Sequence, residues 1–554
     1  MTNVPVRGLG TTGVITDVSG YNLPITAFTR AKNVRFNNGT VSAGPVFRSV
    51  SDNISYSPNF CYALTGSSSY DTILVVDDTF DLYEFTNGSG TQRFNSSLSA
   101  SASAVVSATT LADVIYCNRD DTVPVSRTPG QTNFTALANW PSNHKAKVIR
   151  SYGDFLLALG MTEGSATFPN RIRFSDSVVA NSIPSTWDAS DTTNSAGFND
   201  LVQMQTPIQD GATLGPNFLI YSKDQVWVQS FVGGSFIFQF RKLFDDAGII
   251  NTNCVVEVDN KHYVLDRNDI YVTDGNTRQS ICDGTVRDYI FSGLDNSKTD
   301  VCFVMHNSKT EEIYFCYNSQ DDLVGFGIGG PGVDRCNRAA VYNYKESVWS
   351  FQDLPNVVSG TEANINTTST YASGANTQYR FLGGSYKDQD SPFTRHPIVL
   401  AKAYAGSAGT PLSNSKLFGV DLIDTGSIST AYDSGQSKLP YLERRGLDLD
   451  ELGVSLDGYK NINKILPQLT TTNNDSIFTF TFQASDIAPT AGPLNESGAT
   501  NVEFNSNTEY KIDTRLSGRY LDYRLSVSHD AAPDNRKDFN FSGMDIDVVV
   551  TGKR

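Results

Sequence analysis

Residues 254–281 constrain the fold more than any other part of this sequence. Four short runs rich in Val, Ile and Tyr are separated by polar turn residues at 259–261, 267–269 and 274–275. β-Branched and aromatic side chains favour a pleated, half-buried strand, and Asp274-Gly275 favours the two-residue turn of a β-hairpin. The stretch therefore predicts an up-and-down sheet of four strands. One such sheet cannot bury its own faces, so it must stack on others, as the blades of a β-propeller do.

Similar units recur along the sequence at roughly the spacing of propeller blades, about every 45–60 residues. Six candidate blades are predicted, and they include residues 61–86, 113–126, 147–176, 218–243, 254–281 and 301–351. Charged residues make up only 18% of the chain, and helical patterns are almost absent, as expected of a β-rich protein with many polar turns. We therefore expect an all-β fold with a propeller at residues 57–425, and the pattern leaves the blade count open by one.

The parts that flank the propeller have a different character. Residues 1–56 are polar and predict an extended N-terminal arm, and residues 356–416 lose their periodicity and predict a long loop insertion. Within or beside that insertion, residues 379–384 and 416–423 are β-like and are candidates to close the ring. From residue 426 to 554, alternating strands return and predict a separate, sandwich-like antiparallel β domain.

The net charge of −16 and the pI of about 4.8 argue against a general electrostatic grip on nucleic acid. No apolar run approaches the length of a membrane span, and residues 1–20 lack the pattern of a signal peptide. The seven cysteines occur singly, mostly within apolar runs, and predict buried thiols rather than disulfides or metal ligands. We therefore expect the protein to fold in the cytoplasm.

No catalytic, cofactor or metal site is predicted. The isolated histidines lack zinc-ligand spacing, and the three glycines at 325, 327 and 330 precede Pro331 rather than a helix, which indicates a plain loop instead of a dinucleotide site. Adjacent carboxylates point to opposite faces of a strand, whereas a glycosidase needs two across one bond. Such pairs occur at Asp77-Asp78, Asp120-Asp121, Asp245-Asp246, Glu311-Glu312 and Asp321-Asp322. Trp187, Trp227 and Trp349 are expected to pack in blade cores rather than to bind sugars.

The order of several motifs along the chain carries a family resemblance. These motifs are residues 31–36 and 44–48; Arg150 with 152–154 and 156–160; 173–176 with Trp187; 219–221 with 226–227; 248–249; 417–421; and 441–468 before the closing β domain. The pattern resembles the tail nozzle proteins of short-tailed bacteriophages, which are also called tail tubular or packaged-DNA stabilisation proteins. The resemblance covers nearly the full chain.

The resemblance implies a structural protein of the virion tail, assembled in the host cytoplasm, and not an enzyme. Its partners would be copies of itself in a hexameric ring, the adaptor of the portal–tail complex, tail fibres or spikes, and double-stranded DNA that passes without sequence-specific binding. The ring would continue the DNA channel and retain packaged DNA until ejection. The alternative from another class is a carbohydrate-binding or carbohydrate-cleaving β-propeller, either a tail spike or a glycosidase.

Two groups of charged residues are candidate sites. The first consists of basic residues expected at an interface with a neighbouring copy: Arg7, Arg30, Lys32, Arg35, Arg48, Arg444 and Arg445. The second consists of acidic residues expected to face the channel: Asp448, Asp450 and Glu451. Simple solvation of these charges is the alternative for both groups.

Overall fold

Four-stranded antiparallel sheets repeat around a common channel in this protein. The computed structural model describes residues 2–45, 47–64, 71–86, 89–234, 236–320, 334–364, 370–373, 376–379, 395–403, 415–420, 440–455, 458–471, 477–489, 492–495, 497–527 and 539–553. These residues form a seven-bladed β-propeller and a two-sheet β-sandwich. The predicted fold class is confirmed, including the blades expected at 218–243, 254–281 and 301–351.

The first five blades each follow the chain from the innermost to the outermost strand. Blade 1 contains Pro58–Leu64, Thr72–Asp77, Leu82–Thr86 and Ser89–Phe94; blade 2 contains Val106–Leu111, Val114–Arg119, Val125–Arg127 and Thr135–Ala136. Blade 3 contains His144–Tyr152, Phe155–Glu163, Ala166–Phe174 and Gly197–Asp200; blade 4 contains Ile208–Leu214, Asn217–Ser222, Val226–Phe231 and Phe238–Phe244. Blade 5 contains Val255–Val258, Lys261–Leu265, Ile270–Thr273 and Arg278–Ser280.

Blades 6 and 7 share one long strand, Val348–Asn364. Its first part pairs with Cys336–Asn343 and completes blade 6, which begins with Phe303–Asn307 and Glu312–Tyr317. Its second part lines the channel and pairs with Arg395–Ala401, as the innermost strand of blade 7. Asn356, at a φ of 54°, lies between the two parts, where a left-handed residue redirects the backbone.

The outer half of blade 7 closes the ring. Lys416–Val420 pairs with Arg395–Ala401 on one side and with Phe47–Ser49 from the N-terminal segment on the other. The loop insertion expected at 356–416 is therefore wrong at both ends, because residues 357–364 and 395–401 are strands of a blade. The β-like piece at 416 does close the ring, and a hairpin of Thr370–Ser373 and Asn376–Tyr379 lies between; residues 380–384 of the other piece lie outside the described residues.

Hydrophobic cores between successive blades hold the ring together. Separate cores join blades 1 and 2, 2 and 3, 3 and 4, 6 and 7, and 7 and 1, and the largest core joins blades 4, 5 and 6 to the sandwich. Because both faces of a blade are covered, its second strand contains a continuous apolar run rather than an alternating pattern. Leu156, Leu157 and Ala158 are adjacent and all fully buried, and Leu219, Ile220 and Tyr221 repeat this pattern in blade 4.

The turns in blade 5 differ in one case from the expectation. Asp259 and Asn260 have φ angles of 51° and 58° and connect Val258 to Lys261, as a two-residue hairpin requires. Asp274-Gly275 instead belongs to a four-residue loop, because Thr273 pairs with Arg278. The Asp274 carboxylate accepts hydrogen bonds from the backbone N–H groups of residues 276 and 277, which stabilises the longer loop.

The sandwich consists of two sheets that pack face to face. We call the first the terminal sheet; its strands run in the order Val34–Asn37, Thr40–Ala43, Phe539–Lys553, Gly458–Thr471 and Ile512–Gly518, and Thr2–Arg7 also pairs with Phe539–Lys553. We call the second the phenylalanine sheet; its strands are Arg30–Lys32, Tyr441–Leu447, Tyr520–Val527, Ile477–Ser485 and Thr500–Asn505. Phe480 contacts Phe541 across the interface at a ring-centroid distance of 6.2 Å.

The N-terminal segment is not an arm outside the two domains. Four of its strands belong to the sandwich and Phe47–Ser49 belongs to blade 7, so the prediction for residues 1–56 is wrong in this respect. The propeller is thus inserted into the sandwich, whose strands come from residues 2–43 and 441–553. The prediction failed because this segment is mostly polar. In its first strand Val4 and Val6 are buried, and the residues next to them face solvent.

The described helices are short: an α-helix at Arg287–Gly293 and 3₁₀ turns at Gly20–Asn22, Asn296–Val301 and Asp450–Leu452. In the part of the chain that the structure describes, no helix has the length and apolar character to cross a membrane. All seven cysteines are buried free thiols, which confirms their predicted burial. Trp187, Trp227 and Trp349 are also buried, as expected of core residues.

Candidate functional site

The predicted interface residue Arg35 lies at the junction between sandwich and propeller. Its Nε and Nη2 atoms donate to the two carboxylate oxygens of Glu312 in blade 6, each at 2.7 Å, and Nη2 also donates to the Tyr314 hydroxyl at 3.1 Å. The Arg35 and Glu312 side chains are only 14% and 6% exposed. A buried, two-pronged ion pair of this kind fixes both distance and orientation, so Arg35 joins the domains of its own chain.

Lys32 and its neighbour Asn33 make a second contact across the junction. The Asp353 carboxylate of blade 6 lies 3.5 Å from the Lys32 ammonium group and accepts a hydrogen bond from the Asn33 side chain at 3.0 Å. The Asn33 side-chain oxygen in turn accepts from the Asp353 backbone N–H at 3.0 Å, and Arg338 of blade 6 pairs with the same carboxylate at 3.2 Å. Two cations and an amide therefore stabilise one buried carboxylate.

Arg444 and Arg445 also act within the chain. Arg444 is 2% exposed and donates to the backbone carbonyls of Gly20 and Leu23 at 2.8 and 3.0 Å. Burial lowers the pKa of its guanidinium group, and nearby Tyr523 and Asp448 oppose that effect. Arg445 pairs with Asp522 at 3.2 Å. Arg444 thus joins residues 20–23 to the phenylalanine sheet, and Arg445 connects two neighbouring strands within that sheet.

The remaining predicted residues are spread over the sandwich and blade 7. Arg7 is exposed, Arg30 is half-buried at the junction, and the Arg48 backbone lies in the closing strand while its side chain lies outside the described residues. Three acidic residues share one turn of the sandwich, and they lie beside residues 20–25 rather than in the propeller channel: Asp448, Asp450 and Glu451. Whether these charges face a channel between several chains stays a prediction.

The propeller encloses a central channel of about 480 Å³, lined by the innermost strands of all seven blades. Propeller channels are concave places where polar groups from several strands converge, which makes this one the default candidate for a ligand site. The chemistry of the channel depends on Arg150, which extends into it from blade 3. Sequence reasoning singled out Arg150 only as part of a family motif.

All the hydrogen-bond donors of Arg150 are engaged. An arginine carries five N–H groups, and here they meet the Asp210 carboxylate at 2.9 Å, the Asn253 side-chain oxygen at 2.9 Å, and backbone carbonyls of residues 108, 149 and 211 at 3.2 to 3.5 Å. Asp210 is 1% exposed and also accepts from the backbone N–H of Asn253 at 2.8 Å. The cluster therefore ties blades 2, 3 and 4 to the strand entering blade 5, and Arg150 has no donor left for a ligand.

A charged residue within an apolar inner strand was the available signal for this cluster. Arg150 follows Val148 and Ile149 in the sequence, and Asp210 precedes Gly211 and Ala212. Opposite charges in the innermost strands of successive blades can pair with each other, as Arg150 and Asp210 do. The nearby Lys147 is also buried, which lowers the pKa of its ammonium group to about 8, and it donates to the Gln209 side chain at 2.6 Å.

Five members of the predicted carboxylate pairs have structural contacts. Asp77 accepts from Thr79 within its own turn, and four others pair with cations: Asp121 with Arg119, Asp245 with Lys242, Asp246 with Arg278, and Glu312 with Arg35. Asp321-Asp322 and the glycines at 325–330 lie outside the described residues. Among the described residues, no group of three His, Cys, Asp or Glu side chains has the arrangement of a metal site.

Comparison with known proteins does not assign this chain to a family. No protein-family model and no curated protein matches this sequence. A solved structure described as YCF48 bound to D1 peptide is similar at 7% identity with a TM-score of 0.32, over 55% of this chain and 85% of that one. The description of this protein as a propeller rests on its own strand pairing and channel.

Proposed function

We propose that this protein is a structural subunit of a bacteriophage tail, one copy in the nozzle ring of a short-tailed phage. In this proposal six copies continue the DNA channel below the portal and adaptor, retain packaged DNA until ejection, and present docking surfaces for fibres or spikes. The order of sequence motifs supports the family, and one structural observation carries the proposal. The two domains of each chain are joined into a single block.

Buried contacts leave no free hinge at the junction. Arg35 and Lys32 reach the propeller through Glu312 and Asp353, and backbone hydrogen bonds run from Val14 to the Trp349 carbonyl at 3.1 Å and from Asn33 to the Phe351 carbonyl at 2.8 Å. The core of the sandwich is also continuous with the core of blades 4 to 6. Domains that move relative to each other have smaller, more polar interfaces. A rigid block of this kind suits a wall that must resist the pressure of packaged DNA.

The contacts of Arg150 favour this role over the carbohydrate-active alternative. Its donors are occupied by Asp210, Asn253 and backbone carbonyls, so Arg150 offers none to a ligand in the channel. Glycoside cleavage needs two carboxylates on either side of one bond, and four of the adjacent carboxylates singled out in the sequence pair with cations instead. We therefore expect no glycosidase, nuclease or ATPase activity. Hydrolysis of a polysaccharide that one carboxylate substitution abolishes would favour the alternative.

Assembly is expected to require a template. Each chain carries a net charge of −16, so copies repel one another around a narrow axis unless salt or a partner reduces the repulsion. A ring closes by contacts between two different patches of each copy. The exposed Arg7 on the terminal sheet and the exposed Asp450 on the acidic turn are charges of opposite sign suited to such a contact.

Sedimentation velocity of the full chain, alone and with the adaptor ring at low and high salt, tests the proposal. We expect a monomer or weak oligomer alone and a six-fold ring with the adaptor. Arg7→Glu should weaken ring formation, and Lys242→Glu on the outer strand of blade 4 is the control with the same charge change. A chain that stays monomeric with the adaptor at every salt concentration would refute the nozzle assignment. Equal ring formation by the Arg7→Glu variant would show only that Arg7 does not contribute to the contact between copies.

A further inference from the structure

A groove of about 420 Å³ opens at one end of the sandwich, and it shares no lining residue with the channel. The strand Gly458–Thr471 forms its floor near its end, and the segment 504–510 forms one wall. Residues 540 and 542 of the strand Phe539–Lys553 form the opposite wall. The groove thus lies where the two sheets of the sandwich part, and no residue of the predicted sites contributes to it.

The wall at 504–510 is held in one shape by its own hydrogen bonds. The Glu509 backbone N–H donates to the Asn505 carbonyl at 2.8 Å, and the Asn505 backbone N–H donates to the Glu509 carboxylate at 2.9 Å. The Asn505 side chain also accepts from the backbone N–H of residue 507 at 3.0 Å. This closed turn presents the Tyr510 side chain to solvent, where it is 72% exposed. A ligand would therefore meet a preorganised wall, which lowers the entropy cost of binding.

The exposed side chains of the groove are polar or aromatic. Leu469 and Phe504 are only 7% and 2% exposed, because they belong to the core of the sandwich. Thr470 and Asn540 are exposed and offer a hydroxyl and a carboxamide.

Charge restricts what this groove can hold. Glu509 is the one charged side chain among the described lining residues, and its carboxylate already accepts a backbone N–H. Anions find no cation to pair with, and a metal ion would need more than one carboxylate. A purely apolar ligand would leave the polar groups without partners. The exposed tyrosine and the neutral polar groups suit an uncharged molecule that carries many hydroxyls and has one apolar face.

We propose that this groove binds a neutral saccharide. The C–H face of a sugar ring would lie against Tyr510, and its hydroxyls would exchange hydrogen bonds with Asn540 and Thr470. The tyrosine ring suits this contact because it is large, rigid and amphipathic. The site belongs to the sandwich and uses no carboxylate pair, so it differs from a carbohydrate-active propeller, and it does not depend on ring assembly.

Saturation-transfer NMR on the full chain tests this site with four neutral disaccharides: maltose, cellobiose, lactose and N,N′-diacetylchitobiose. A glucuronate-containing disaccharide is the charged comparator. We expect at least one neutral sugar to bind and the charged one not to bind. Tyr510→Ala should weaken binding about tenfold, the loss expected for one stacked ring, and Asn540→Ala should weaken it severalfold.

Tyr21→Ala is the matched control, because Tyr21 is 45% exposed and contacts Tyr520 at the opposite end of the phenylalanine sheet. It should leave binding unchanged. The proposal is overturned if no neutral disaccharide binds, if the glucuronate compound binds equally well, or if neither groove variant weakens binding. Since Tyr510 and Asn540 are both exposed, their variants should unfold at the wild-type urea midpoint, and Asn540→Ala still decides the question if the Tyr510 variant does not.

Discussion

Replacing Arg150 by methionine should destabilise the propeller far more than removing a charge from its surface. The substitution keeps an unbranched apolar stem but removes the guanidinium group that contacts Asp210, Asn253 and three backbone carbonyls. The Asp210 carboxylate would remain buried with backbone N–H donors from Gly211 and Asn253 at 2.7 and 2.8 Å, but without a counter-ion.

The size of the effect follows from the burial of the pair. Removing one partner of a buried ion pair costs about 3–5 kcal/mol. Asp210 is 1% exposed but Arg150 is 16% exposed, so we expect the lower end, about 3 kcal/mol. Asp210→Asn in the same chain removes the unpaired charge. The double variant should therefore lose less free energy of unfolding than the two single variants lose together. The difference, which is the coupling free energy, should be about 2 kcal/mol.

Urea unfolding followed by tryptophan fluorescence measures this effect. The chain has four tryptophans, and all lie in the propeller: Trp140, Trp187, Trp227 and Trp349. Lys345→Met is the control, because Lys345 is 53% exposed and its pair with Asp259, at 3.8 Å, should contribute less than about 1 kcal/mol.

The reasoning is refuted if Arg150→Met unfolds at the same urea concentration as the Lys345 control. It is also refuted if the effects of Arg150→Met and Asp210→Asn simply add, because the two side chains would then not interact. Either result would mean that the hydrogen bonds between Arg150 of blade 3 and Asp210 of blade 4 do not stabilise the propeller.

Three further predictions concern other parts of the chain. Deleting residues 1–50 should prevent folding, since it removes four sandwich strands and the closing strand of blade 7; circular dichroism of a folded, cooperatively melting deletion variant would contradict the strand pairing. Burial raises the pKa of Cys61 and of Cys302 to about 12, so mass spectrometry should find none of the seven thiols alkylated by iodoacetamide at pH 8 in the native protein and all alkylated in urea. Burial raises the pKa of Glu84, but Arg127 and other partners outweigh this effect, so the pKa is lowered. The ionised carboxylate contributes about 2 kcal/mol to the free energy of unfolding. This contribution is present above the ordinary pKa of a glutamate and is lost as pH falls through the lowered pKa of Glu84. Glu84→Gln should therefore lower the urea midpoint at pH 7 but much less in strong acid, and an equal loss at both pH values would exclude the ionised group as the cause.

The blades were predictable because their signal is local. The second strands of blades 1, 3 and 4 contain apolar runs that are buried on both faces, and turn residues lie within a few positions of a strand, as at Asp259-Asn260. Blade 7 was hidden because its strands come from three separated parts of the chain, with Phe47–Ser49 from the N-terminal segment and Val348–Asn364 shared with blade 6. Pairing between distant segments leaves no periodicity in either one.

The candidate sites were harder to predict for a related reason. Sequence singled out Arg35 and Arg444 as charges, but their partners within the chain, Glu312 and the carbonyls of Gly20 and Leu23, are hundreds of residues away. Without those partners, such charges are expected on the surface. The saccharide groove had no sequence signal, since its polar residues come from three strands and one turn.

The placement of the propeller within the sandwich determines how the chain can be made. Residues 2–7 leave the ribosome early, yet they pair with residues 543–548, which are translated after the whole propeller. At about 5–20 residues per second, this gap lasts roughly 25 to 100 seconds. During that time the strand that contains Val4 and Val6 has no partner strand. Phe47–Ser49 also stays unpaired until Lys416–Val420 has been translated. The nascent chain therefore exposes apolar strand edges throughout translation, so its yield should depend on chaperones that cover them until the last strand arrives.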